Sequence, residues 1–238
     1  MRRQVRRFVE RRMPAVAEVL ERLLAERNAA RYTVYRGEVL PDRIRAFRSI
    51  PGMLPLDHCI RLYFLAYGNA PLGGDIIEIG SWQGRSTCFL AQACKDAGVG
   101  VVHAIDHFRG NPGKESHYVV GSSDLSDLEA NCRANIARVG LADFVRLHAA
   151  DAGGVSERVG AATHDVRLLF IDGEHSAEAV RRDIAQYVPL LKSGGLIVFD
   201  DYAPEFSDYV AAVDEAVADS GAFTAVIRYE RTLIARKR

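Results

Sequence analysis

The chain lacks net charge: Lys+Arg and Asp+Glu each number 31. That removes any general electrostatic argument for nucleic acid or membrane as a partner. Lysine is scarce, with only Lys95, Lys114, Lys192 and Lys237, so arginine carries the positive charge. The four cysteines, Cys59, Cys88, Cys94 and Cys132, show no C-x-x-C spacing. They read as reduced, mostly buried thiols of a cytoplasmic protein, and a zinc site is not expected. No apolar run approaches the ~20 residues of a membrane span. The basic N-terminus lacks the apolar stretch of a signal peptide. No internal repeat or low-complexity tract is visible.

What is present suits a globular protein. The 238 residues are 48% hydrophobic and 26% charged, enough for one α/β domain with a short appendage. Residues 1–50 carry thirteen Arg against six acids, so the remainder is correspondingly acidic. Val16, Val19, Leu20, Leu23 and Leu24 recur at helical spacing. Pro14 suits a first helical turn, which splits this region into two helices. Residues 1–50 are therefore expected to be a helical extension, and residues 51–238 the main domain. The extension reads as a solvated face or a subunit contact, which makes a homo-oligomer the expected assembly. An RNA or acidic-partner surface is the alternative.

From Asp75 onward, strands alternate with helices. Expected strands are Asp75–Ile79, Val101–Ile105, Phe144–His148, Val166–Ile171, Leu196–Phe199, Phe223–Tyr229 and Thr232–Arg236. Expected helices are Ser86–Asp96, Leu125–Val139, Ala177–Leu191 and Asp208–Asp219, with Lys192–Gly195 as a turn. The pattern predicts an α/β fold: a Rossmann-like, mostly parallel sheet covered by helices on both faces, closed by a hairpin at Glu230–Arg231.

In such a sheet, ligands bind beyond the carboxyl ends of the strands. Nearly every strand there ends in an acid: Glu78, Asp106, Asp151, Asp172, and Asp200 with Asp201. Their mutual repulsion raises pKa values unless cations or hydrogen-bond donors answer it. The first turn, Gly80-Ser81-Trp82-Gln83-Gly84-Arg85-Ser86-Thr87, is neither a dinucleotide fingerprint nor a Walker loop. A tight structural turn explains it alone, but a helix N-terminus there also favours an anion. Asp106, 22 residues beyond Gly84, is placed to accept from a ribose diol, with a loop cap as its bland role. Glu78 is placed to accept from an α-amino group. A cofactor with carboxylate, amine, ribose and adenine but no phosphate fits, and S-adenosylmethionine (SAM) is such a molecule.

At these residues the chain resembles the class I SAM-dependent methyltransferases. It looks most like the small-molecule O-methyltransferases of the CmcI-like and macrolide-sugar group. The segments that carry this are Asp75–Thr87, Val101–Asp106 and Leu169–Tyr202. The resemblance implies seven strands, one of them antiparallel. It implies SAM contacts at Glu78, Gly80, Ser81, Asp106 and Asp151. Trp82, Gly84, Ser86 and His107 complete the expected cofactor set. It further implies a divalent metal, Mg²⁺ or Mn²⁺, at Asp172, Asp200 and Asp201, with His175 as base.

Carboxylates are hard ligands suited to such a metal, and a metal-bound hydroxyl becomes more acidic. Adjacent strand residues point to opposite faces, so Asp200 and Asp201 share a metal only where strand geometry ends. The segment Arg109–Asp127 reads as a lid, and Arg45–Asp57 as the facing wall. His117 is expected near the site; His58, His103, His148 and His164 are expected to be structural. The leading reading is an O-methyltransferase acting on a sugar or phenolic hydroxyl of a small natural product. The alternatives are an RNA methyltransferase and a non-catalytic cofactor-binding partner protein.

Overall fold

Alternation of apolar side chains along short β-branched segments builds a sheet with two covered faces. A computed structural model of the chain describes residues 46–110, 127–163 and 165–238. Five strands run parallel: β1 (Asp75–Ile79), β2 (Val102–Asp106), β3 (Val145–Ala149), β4 (Val166–Ile171) and β5 (Leu191–Phe199). The chain ends in a hairpin of β6 (Phe223–Tyr229) and β7 (Thr232–Lys237). The strand order is β3-β2-β1-β4-β5-β7-β6, with β7 antiparallel to both neighbours. The seven-stranded sheet with one antiparallel strand is the one implied by the resemblance.

Period-2 alternation splits the core in two. Ile76, Leu168, Phe170, Leu196 and Val198 face one layer; Ile77, Ile79, Leu169, Ile171, Ile197 and Phe199 face the other. Helices α1 (Leu56–Gly68), α2 (Arg85–Ala97) and α3 (Leu128–Arg138) cover the first. Helices α4 (Ala152–Ala162), α5 (Ala177–Tyr187) and α6 (Ser207–Val213) cover the second. Ser176 caps α5 by accepting from Ala179 N at 3.2 Å, and Asp127 caps α3 by accepting from Ala130 N at 2.9 Å.

Four elements differ from expectation. Helix α1, Leu56–Gly68, is not among the expected helices. Helix α4 was not read from the sequence, because Gly153, Gly154 and Gly160 obscure an amphipathic face on Val155 and Val159. Strand β5 starts at Leu191, and Lys192–Gly195 is an irregularity inside it: the register jumps from Val166↔Leu191 to Leu168↔Leu196. Helix α6 ends at Val213 and continues as a π-turn, Asp214–Ala218. The expected N-terminal helices, most of the expected lid, His117 and His164 lie outside the described residues. Among the described residues, no helix is long and apolar enough to cross a membrane.

Backbone bonds continue past the strand ends and align the loops that follow. Gly80 N donates to Ile105 O at 2.9 Å, Asp172 N to Ile79 O at 2.8 Å, Asp200 N to Ile171 O at 3.1 Å, and Ala150 N to Asp106 O at 2.9 Å. The strand-end acids therefore share one edge. His103 and His148 pair with each other at 3.2 Å, and His103 approaches Asp75, the first residue of β1, at 3.4 Å.

Candidate active site

The loop between β1 and α2 turns where only glycine fits. Gly80 has φ +91°, and a Cβ there would sit 2.0 Å from the Asp172 carbonyl oxygen. The glycine loop after β1 and the acid turn after β4 thus touch backbone to backbone. Trp82 and Gly84 also take positive φ, 45° and 86°, and Gly84 N donates to Ser81 O at 2.7 Å. Asp106 holds this shape. One of its oxygens accepts from Ser81 N (2.9 Å) and Trp82 N (2.7 Å), the other from Phe108 N (2.7 Å). Its loop-capping role is realised, and little acceptor capacity remains on its two oxygens. His107 Nδ1 accepts from Arg109 N at 3.0 Å. Asp151 lies exposed beyond β3, its carboxylate gripped by Arg109 Nη2 at 2.7 and 2.9 Å. That guanidinium lowers the Asp151 pKa.

Glu78 lies fully buried beneath the loop. Its Oε2 accepts from Thr87 Oγ1 at 2.5 Å and from Ser81 Oγ at 3.3 Å, while Oε1 has no hydrogen-bond partner. Burial pushes its pKa up to about 7; the neighbouring hydroxyls of Ser86, Thr87 and Ser81 oppose this, and the Asp172 charge adds to it. Arg85, the first residue of α2, donates to Ile50 O (2.8 Å) and Leu54 O (3.2 Å). The segment expected as a facing wall is thereby tied to the helix start.

Across the Gly80–Asp172 contact stands a cluster of Asp172, His175 and Asp201, whose ligand atoms lie within 4.8 Å of one another. His175 Nε2 is 3.7 Å from Asp172 Oδ1 and 3.4 Å from Asp201 Oδ2. Its ring is set by Phe206, tilted at 5.1 Å, and by Tyr209, edge-on at 5.7 Å. Withdrawal from water raises the Asp172 pKa, reinforced by Asp200 and Asp201 and opposed by His175.

The paired acids separate because the chain leaves strand geometry: Asp201 has φ +52°. Asp201 joins His175, while Asp200 turns to α1, with Oδ1 3.3 Å from His58 Nδ1. His58 Nε2 lies 3.2 Å from Glu230 Oε2. Burial lowers the His58 pKa, but Asp200 and Glu230 outweigh it and the net shift is upward. Arg231, beside Glu230 in the β6–β7 turn, donates to Asp201 Oδ1 from Nε (3.0 Å) and Nη2 (2.5 Å), and pairs with Glu205 through Nη1.

His58, Thr87, Glu230 and Arg231 are the site-edge residues that sequence reasoning missed. Thr87 follows the glycine turn, so its place was available. Nothing in the sequence links residue 58 to residue 200, or residue 231 to residue 201.

Comparison with known proteins bears on the family and the fold. The family profile described as "Methyltransferase domain" matches residues 77–202, more than half of the chain, from β1 to just past the paired acids. The 8-demethyl-8-(2,3-dimethoxy-alpha-L-rhamnosyl)-tetracenomycin-C 4'-O-methyltransferase of Streptomyces olivaceus is 30% identical over 143 residues, 55% of this chain and 53% of that enzyme. The chain thus spans about half the length of this curated relative. Among solved structures, the O-methyltransferase NovP has a TM-score of 0.65 at 20% identity, covering 92% of this chain and 98% of its own. TomG of Streptomyces achromogenes, an O-methyltransferase of tomaymycin synthesis solved with SAM, has a TM-score of 0.60 at 16% identity, covering 88% and 96%. These two likenesses show the fold, and the profile match shows the family: the chain belongs to the methyltransferase-domain family.

Proposed function

We propose that the protein transfers a methyl group from SAM to a hydroxyl oxygen of a small natural product, a sugar or a phenol. The O–CH₃ bond forms as the S–CH₃ bond breaks, and the hydroxyl proton passes to His175 Nε2. The observation that carries this reading is the Gly80–Asp172 contact, which sets the glycine loop directly against the acid–His cluster. The similarity to an enzyme named for a rhamnosyl 4'-oxygen favours a sugar acceptor.

The residues fit the cofactor. The start of α2 offers backbone N–H groups to a carboxylate, while the N–H groups of Gly80, Ser81, Trp82 and Gly84 are already bonded and hold the loop in shape. Glu78 Oε1, buried without a partner, suits an ammonium group. SAM supplies an electrophilic methyl on a sulfonium. Within the site, Asp106 keeps the loop in its turn, and Arg85 holds the 50–54 segment over the helix start.

The cluster of Asp172, His175 and Asp201 fits a hard divalent cation, while Asp200, expected as a third acid ligand, is turned to His58 and lies outside that cluster. Mg²⁺ or Mn²⁺ there supplies Lewis acidity toward the acceptor oxygen. Asp172 and Asp201 also stabilise His175 once it holds the proton, because carboxylates favour the imidazolium. Phe206 and Tyr209 fix the ring that must face the acceptor. We place the protein in the cytoplasm, in keeping with four buried, unpaired cysteines.

The test uses the lone tryptophan, Trp82, which lies in the glycine loop. Titration with S-adenosylhomocysteine is expected to change Trp82 fluorescence and to give a dissociation constant of about 1 μM or below, roughly −8 kcal/mol. A folded, ligand-free protein giving neither fluorescence change nor heat on titration refutes the cofactor assignment.

A further inference from the structure

The β6–β7 turn places an arginine on an oxygen of the acid cluster. Asp201 divides its carboxylate: Oδ2 faces His175 at 3.4 Å, and Oδ1 is held by Nε and Nη2 of Arg231. Arg231 is anchored on three further sides. Its Nη1 pairs with Glu205, its carbonyl accepts from Tyr202 N at 2.8 Å, and its guanidinium lies 5.8 Å over the Phe206 ring, the same ring that packs on His175. Register continues directly from the turn into the sheet, through Tyr229↔Thr232 and then Phe199↔Leu233. The position of this cation is therefore set by the same strands that position Asp200 and Asp201.

We propose that Arg231 is a resident counter-cation of the Asp172–His175–Asp201 cluster, which holds the acids together without metal and opposes a divalent cation bound there. The proposal rests on the reading of this cluster as a metal site. Its logic is electrostatic. A divalent ion drawn to Asp201 meets a guanidinium already bound to the same carboxylate, and like charges a few ångströms apart repel. Removing the guanidinium removes the repulsion. An orienting partner behaves oppositely: losing a group that merely aims a ligand weakens metal binding, typically about 10–100-fold. The sign of the change therefore separates the two roles.

The experiment is Mn²⁺ titration of the full chain, followed by electron paramagnetic resonance of free Mn²⁺, on wild type, Arg231→Gln and Arg231→Lys. Arg231→Gln is expected to bind Mn²⁺ about 10-fold tighter or more. Arg231→Lys, which keeps the charge, is expected to stay near wild type. Metal-free Arg231→Gln should melt below wild type, and Mn²⁺ should raise its melting temperature by more than it raises that of wild type. Arg231→Ala carries the same expectation should the Gln variant not fold. Binding by Arg231→Gln but not by wild type supports the proposal in its strongest form. Equal or weaker binding by Arg231→Gln, with wild type binding Mn²⁺, overturns the proposal and leaves the metal site standing. No Mn²⁺ bound by any of the proteins overturns both.

Discussion

Replacing Gly80 by alanine tests the backbone contact on which the site depends. The added methyl meets the Asp172 carbonyl oxygen at 2.0 Å and its carbon at 2.6 Å. Both belong to main chain that is itself bonded to β1 through Asp172 N and Ile79 O. Two costs add. A non-glycine residue at φ +91° costs about 1–3 kcal/mol, and forced overpacking about 1–3 kcal/mol more. Gly98→Ala is the control: it ends α2 at φ +65° with nothing within 4 Å, so only the conformational cost of about 1 kcal/mol applies. For a chain of this size, 1 kcal/mol is worth roughly 2–4 °C. Thermal melts should therefore fall by about 2–4 °C for Gly98→Ala and by at least twice that for Gly80→Ala. Calorimetry with S-adenosylhomocysteine should show weakened binding only for Gly80→Ala. Equal melting temperatures and unaltered binding in the two variants would refute the claim that the glycine loop and the acid turn are in backbone contact.

Two further outcomes follow from named groups. Glu78 has a pKa of about 7 in the fold against 4.5 ordinarily, so its contribution to stability, about 3 kcal/mol, is complete below pH 4.5, declines as pH rises and is gone above pH 7. Glu78→Gln should remove that part of the pH dependence when both proteins are melted across this range; parallel profiles would show that Glu78 is not held protonated. His175→Ala should lower kcat by about 10²–10⁴-fold with S-adenosylhomocysteine affinity unchanged, and wild-type turnover in that variant would remove His175 as the base.

Parts of this arrangement were legible in the sequence because local chemistry determines them. The strand ends at Asp106 and Asp172 follow from short apolar runs that stop at an acid, Glu78 from its place one residue before the end of β1, and Gly80 from the tight turn beyond. The face of α5, on Val180, Ile184 and Tyr187, is likewise local. What stayed hidden depends on distance in the chain. His58 meets Asp200 across 142 residues, and Arg85 meets Ile50 across 35; neither contact has a periodicity to reveal it. Helix α4 was obscured for another reason. Its glycines lower helix propensity, and packing of Val155 and Val159 into the second core overrides that.

The acidic edge is a concentration of charge that something must answer, and the structure shows how unevenly it is answered. Asp106 receives three backbone N–H groups, Asp151 an arginine, Asp200 a histidine, and Asp201 a second arginine. Each of these partners comes from the chain itself. Glu78 and Asp172 differ. Glu78 keeps one buried oxygen without a partner, and among the described residues Asp172 is answered by the long approach of His175 at 3.7 Å; the Asp172 charge raises the Glu78 pKa, and Asp200 and Asp201 raise that of Asp172. These two flank the Gly80 contact, one beneath the glycine loop and one at the acid turn. Charge left uncompensated at that seam favours a cation brought from outside, since an unanswered buried carboxyl otherwise stays protonated. An ammonium or sulfonium group on the loop side, and a hard metal ion on the turn side, each supply that charge where the fold itself does not.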